Sequence, residues 1–317
     1  MGRYVIRRLL LMIPTLLGVS FVVFILIRSV PGDVADNIIG QFGAASAEQK
    51  AAIHKEFGLD QNIPKQYVTW LADVVRLDFG KSLISARTVN GELSNRLPVT
   101  LELGLLAVLF SLTIAVPIGI ISAVRQNSPM DYMGRSFAIG LLAIPGFWLG
   151  TILITMAGRY FIWGVPPASY VYFTDNAFAN IKMMAVPAFI LGAGLSGGVM
   201  RFTRSSMLEV LRQDYIRTAW SKGLRERVIV VRHAMRNALI PVITIVGLQL
   251  PILVGGSVII EQVYSIPGMG RYYISAVNQQ DYPVIQAINI LVASVVVFTN
   301  LGVDLLYSVL DPRIRYS

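Results

Sequence analysis

Residues 201–241 read RFTRSSMLEVLRQDYIRTAWSKGLRERVIVVRHAMRNALIP, a basic stretch that lies between two long apolar runs. Residues 183–200 before it and 238–260 at its end carry no charged side chain. Uncharged runs of about 18 residues or more are long enough to cross a bilayer as helices. Comparable runs occupy 9–27, 103–124, 136–158 and 284–303. None shows the two-residue alternation of a membrane β-strand, and a backbone inside hydrocarbon must satisfy its own hydrogen bonds. The expected fold is therefore an all-α integral membrane bundle of six transmembrane helices.

The rest of the composition agrees. Of 317 residues, 55% are hydrophobic and 14% charged, with a mean hydropathy of +0.63, whereas soluble domains carry roughly 25% charged residues. The net charge of +9 suggests nucleic acid at first sight, but the basic residues cluster at the ends of apolar runs, as the positive-inside rule requires. One set of connections holds Arg3, Arg7, Arg8, Arg125, Arg135, the basic residues from Arg201 to Arg236, and Arg313 and Arg315. The short opposite connections hold Arg159, Lys182 and Arg271, with Arg28 at a helix end where it can snorkel. This asymmetry predicts both termini and the 205–241 loop on the cytoplasmic side. The first run follows basic residues as a signal peptide would, but no small-residue cleavage site follows it, so it reads as a retained helix.

The expected organisation is a cytoplasmic N-terminus and first span (1–30), an extracytoplasmic insertion (31–98), five further spans (99–310) that include the 205–241 loop, and a cytoplasmic tail (311–317). Pro14, Pro117, Pro145, Pro187 and Pro251 fall within the spans, where neighbouring helices can re-satisfy the carbonyls that proline frees. Gly197 and Gly198 belong to a small-residue cluster that serves either close helix packing or a passage wall. Gly255 and Gly256 have no side chains to close a passage, so all four are candidates for pathway lining.

Within the basic loop, Met207, Leu208, Val210, Leu211, Tyr215, Ile216 and Ala219 recur at helical spacing with charged residues between them. Gly223 is placed to stop that helix in the left-handed conformation, with Lys222 suited to the helix dipole. Residues 225–238 read as a second amphipathic helix entering the membrane. Such a knob suits docking to a partner, and it equally suits a helix pair resting on anionic lipid.

The stretch 214–241, DYIRTAWSKGL followed by RHAMRNALIP, resembles the EAA loop of type I ABC-importer permeases in the form used by the dipeptide and oligopeptide family. Arg217, Thr218 and Ala219 stand where the general consensus has Glu-Ala-Ala, a departure typical of the peptide branch. Further stretches resemble the B-type subunit of peptide permeases: the opening YVIRRLLLMIPTLLGVSFVVFILIRSVPGD, EFGLDQNIPKQYVTWL, LPVTLELG, YSIPGMGRYYISAVNQQDYPVIQ and the closing DLLYSVLDPRIR.

The resemblance implies a type I ABC-importer permease fold and a coupling helix that seats on an ATPase, with Tyr215, Arg217, Thr218, Ala219, Lys222, Gly223 and Leu224 in that role. The implied partners are a second permease subunit (a paralogue), two cytoplasmic ATPase subunits and an extracytoplasmic solute-binding protein. The implied cargo is a peptide or a related small solute.

No cofactor, metal site or catalytic constellation is expected. The chain has no cysteine and only two histidines, His54 and His233, on opposite predicted sides. Gly80, Lys81 and Ser82 match the end of a phosphate-binding loop, but Val75 stands where its first glycine belongs. The chain is therefore not expected to hydrolyse ATP itself. The alternative is a secondary transporter or channel working without an ATPase, which would lean on the kinked helices and on Asp304 in the last span.

Overall fold

The computed structural model describes residues 2–28, 60–160, 166 and 169–310, and among these the secondary structure is helical apart from one isolated bridge between Lys81 and Thr88. The helices are α1 (Gly2–Arg28), α2 (Ile63–Val75), α3 (Val89–Val124), α4 (Pro129–Ala143), α5 (Gly146–Tyr160), α6 (Ala177–Leu211), α7 (Asp214–Ser221), the short α8 (Glu226–Val228), α9 (Met235–Val263), α10 (Met269–Asn278) and α11 (Tyr282–Leu310). A π-helical segment, Ile229–Ala234, joins α8 to α9 without a break.

Among the described residues, five stretches are long and apolar enough to cross a membrane: Ile6–Leu26, Val89–Val124, Ala177–Leu211, Glu226–Gln249 and Tyr282–Val303. The expected span 136–158 is not one straight helix. It is the pair α4 and α5, bent by 90° at Ile144 and Pro145, and counting this pair as one crossing gives six. Pro14, Pro117, Pro187 and Pro251 lie inside continuous helices, so Pro145 alone among the expected span prolines breaks its helix.

The chain divides into two compact units, Met1–Pro98 with Arg271–Phe298, and Val99–Gly270 with Thr299–Ser317. In the first unit, Phe24 is fully buried on α1 and meets the Tyr67 ring of α2 edge-on at 5.2 Å, while the Ser20 and Tyr67 hydroxyls lie 2.9 Å apart. Asn62 caps α2 by accepting from the Lys65 N–H at 3.2 Å. Asp281, itself buried, orders the turn before α3 by accepting from the Ser82 hydroxyl (2.5 Å) and the Leu83 N–H (3.2 Å). Ser82, the last residue of the phosphate-loop-like triplet, thus serves this turn. Arg96 bonds Glu92 and lies 4.5 Å over the Tyr272 ring, and burial pushes the Tyr272 hydroxyl up to about 12, assisted by the charges of Asp281 and Glu92.

The second unit has one apolar core where the first half of α6 meets α3 and the end of α9 (Leu103, Met184, Ile190, Ile260) and another further along α6 (Ala115, Ala138, Val199, Met200, Val242). Small residues set its helix spacing. A Cβ on Gly192 would lie 2.5 Å from the Ala107 carbonyl oxygen of α3, and one on Gly197 would lie 2.6 Å from the Ala138 carbonyl oxygen of α4. Gly197 is therefore a close contact between packed backbones.

Candidate coupling site

Helix α6 has 35 residues, about 52 Å at 1.5 Å per residue, against a hydrocarbon thickness of roughly 30 Å. It continues past its apolar run 183–200 and carries a knob made of its own last turns, α7, and the segment from Glu226 into α9. The expected helix through 207–219 is in fact two. α6 ends at Leu211, and Gln213 takes an extended conformation (φ −72°, ψ 150°) before α7 begins. The amphipathic period continues across the break, with Met207 on α6 and Ile216 and Ala219 on α7 buried together with Ala123, Ile229, Ala234 and Ala238.

Gly223 ends the knob helix as expected. Its φ is +72°, its N–H bonds the Trp220 carbonyl at 2.9 Å, and the Leu224 N–H bonds the Ala219 carbonyl at 3.4 Å. These two bonds form a Schellman cap. A Cβ at Gly223 would meet nothing within 4 Å, so backbone conformation alone calls for glycine here.

The candidate coupling residues fall into two groups. Tyr215, Arg217, Thr218, Lys222, Gly223 and Leu224 are exposed along α7 and its cap. Ala219 is buried at 6% exposure and holds α7 to the knob core, so it is not part of the outer surface. The Asn237 amide donates to the Tyr215 hydroxyl at 2.8 Å, linking α7 to the start of α9, and Thr218 donates to the Asp214 carbonyl at 3.0 Å. Trp220, half exposed on the same short helix, adds an aromatic surface that the sequence reading missed. An exposed tryptophan on an amphipathic loop helix was the available signal.

Beneath the knob, Arg204 on α6 donates to both Asp131 carboxylate oxygens at 2.8 and 2.7 Å. Asp131 is fully buried and also accepts from the Ser122 hydroxyl of α3 and the Asn127 N–H. One carboxylate thus ties together the ends of α3, α4 and α6. Such a bidentate pair is strong and geometrically specific. At the far end of α9, the buried Glu261 accepts from Thr100 (2.8 Å) and Ser257 (2.9 Å), and Thr100 in turn accepts from the Met269 N–H (2.8 Å). The turn at Gly268 and Gly270 packs against this carboxylate, where a Cβ on Gly270 would lie 2.5 Å from Val258 Cα.

Of the remaining expected residues, Gly198 borders an open cavity between α6 and α9. Gly255 and Gly256 belong to α9, but their surroundings lie outside the described residues, as do His54, the Asp304 side chain, and residues 31–59 of the expected insertion.

Long apolar helices, with one pair broken at right angles and one helix extended into a polar knob, define a multi-pass α-helical membrane protein. Residues 115–316 match the family model described as "Binding-protein-dependent transport system inner membrane component", and residues 1–104 match the model for the N-terminal part of such membrane components. The chain belongs to this family and is a multi-pass component of the inner membrane. It is 42% identical over 324 residues to "Oligopeptide transport system permease protein AppB" of Bacillus subtilis (strain 168), with 100% of both chains covered. It is 36% identical over 341 residues to "Dipeptide transport system permease protein DppB" of Escherichia coli (strain K12), again with full coverage of both. A solved structure titled "Crystal structure of an amino acid ABC transporter with histidines" matches with a TM-score of 0.48 and 16% identity, covering 71% of this chain and 94% of that chain.

Proposed function

We propose that this chain is one permease subunit of an ATP-driven peptide importer, working with a second and paralogous permease, two cytoplasmic ATPases and an extracytoplasmic solute-binding protein. The observation that carries this reading is the knob: a short helix exposes Tyr215, Arg217 and Trp220 while Ile216 and Ala219 anchor it to the ends of α6 and α9. A push on α7 would travel into two membrane helices as a rigid-body movement, and a rigid two-state element is what coupling between separate sites requires. Both termini and the knob are assigned to the cytoplasmic side on the strength of the basic residues, and residues 31–98 to the opposite side. The ATPase supplies the bond chemistry, and this chain contributes half of the passage.

Reconstitution tests the reading. Proteoliposomes that hold all the subunits should accumulate labelled peptide only with the binding protein outside and ATP within. Uptake that continues with a hydrolysis-dead ATPase would overturn it in favour of a secondary transporter or channel.

A further inference from the structure

A cavity of about 440 Å³ opens between α6 and α9, lined by Gly198, Arg201, Phe202, Ser205, Ile245 and Gln249. Its size falls within the roughly 300–1,000 Å³ of small-ligand sites. The helical period builds it: Gly198, Arg201, Phe202 and Ser205 share one face of α6, and Ile245 and Gln249 share one face of α9. Gly198 lies at the floor, where a Cβ would make ordinary contact with the Gln249 amide nitrogen at 3.7 Å. The cavity lies where the apolar run of α6 ends, and Arg201 is the first charged residue after it.

Among the described residues its polar groups are uncommitted, with Arg201 and Ser205 exposed at its mouth. Arg204, one turn along, is consumed by Asp131. Arg201, Ser205 and Gln249 have no hydrogen-bond or ion-pair partner among the described residues. A guanidinium, a hydroxyl and an amide from two helices therefore converge on one space walled by Phe202 and Ile245. A guanidinium with adjacent neutral donors matches a carboxylate, which accepts two parallel N–H bonds, and the apolar walls suit the side chain next to it. We propose that this cavity is a subsite for the C-terminal carboxylate of a short peptide on its way through the membrane. The inference rests on the peptide-importer reading and adds the group by which this chain would hold the cargo.

The test uses the complete importer in nanodiscs without the binding protein, whose own selectivity would mask the site. Trialanine and trialanine amide are titrated and followed by saturation-transfer NMR. The free acid should bind about tenfold more tightly than the amide, the usual consequence of one charge-assisted hydrogen-bond pair. Arg201→Gln should remove that preference, Arg201→Lys should restore part of it, and Gln249→Leu should weaken acid binding several-fold. Equal binding of acid and amide by the wild type, or a preference that survives Arg201→Gln, overturns the subsite. So does a result in which Arg201→Gln changes only the amount of co-purified anionic phospholipid, because the cavity then holds a lipid headgroup. ATP-driven uptake by the wild-type preparation is measured alongside. If it is present while the preference is absent, the subsite alone fails, and if it is absent, the importer reading fails.

Discussion

Removing the Arg204 guanidinium strands a carboxylate that has no exposed surface. Asp131 is at 0% exposure, whereas the Arg204 side chain retains 21%, so the two single substitutions should differ in cost. Breaking a buried ion pair by deleting one partner costs about 3–5 kcal/mol. Arg204→Met should fall at the low end, about 3 kcal/mol, because Asp131 keeps its bonds from Ser122 and the Asn127 N–H. Asp131→Asn leaves a cation that can reach solvent and an amide that can still meet Ser122, so about 2 kcal/mol is expected. Asp131→Asn combined with Arg204→Met leaves no buried charge, and its cost should fall below the sum of the single changes by at least about 1 kcal/mol. Denaturant titration of the protein in detergent micelles, followed by tryptophan fluorescence, measures all four members of the cycle. Additive costs, or an Arg204→Met penalty under about 1 kcal/mol, would refute the idea that this pair clamps α3, α4 and α6 together below the knob.

Three further expectations follow from close contacts and backbone angles. Gly197→Ala should destabilise by roughly 1–3 kcal/mol by forcing α6 away from the Ala138 carbonyl, whereas Gly194→Ala, with nothing within 4 Å of its Cβ, should be neutral or stabilising in the same titration. Leu77 is exposed and holds a φ of 59°, so Leu77→Gly should stabilise by up to about 1 kcal/mol, the left-handed penalty less the added chain entropy. The Tyr272 hydroxyl is buried without a hydrogen-bond partner among the described residues, so Tyr272→Phe should cost nothing near neutral pH. Its raised pKa reflects a penalty on the buried phenolate, so the group leaves stability unchanged below the unfolded value of about 10 and lowers it as pH rises towards about 12. The wild type should therefore lose stability over that window in an alkaline unfolding series, and Tyr272→Phe should lose less.

Much of the bundle was legible in the sequence because hydrocarbon tolerates few charges, so the apolar runs nearly outline α1, α3, α6, α9 and α11. Gly223 was legible because a glycine directly after an amphipathic period has one common use. The right-angle break at Pro145 was not, since four other span prolines sit in unbroken helices and only tertiary support separates a tolerated proline from a break. The division between α6 and α7 was hidden because the apolar period runs through Arg212 and Gln213 with no glycine or proline to mark it. Asp131 and Arg204 lie 73 residues apart, and nothing in either local sequence singles out the other. Gly197 looked like Gly198 in the sequence, and only the position of α4 separates a packing glycine from one beside a cavity.

The coupling role of α7 is tested most directly by purifying the tagged importer with Arg217→Glu and Trp220→Ala combined. Both side chains are exposed, and neither belongs to the knob core, so insertion, association with the second permease and denaturation midpoint should match the wild type. The ATPase subunits should be lost from the preparation, and ATP-driven peptide uptake should go with them. ATPases retained at wild-type stoichiometry, with uptake unchanged, would contradict the assignment of α7 as the helix through which ATP hydrolysis moves this permease.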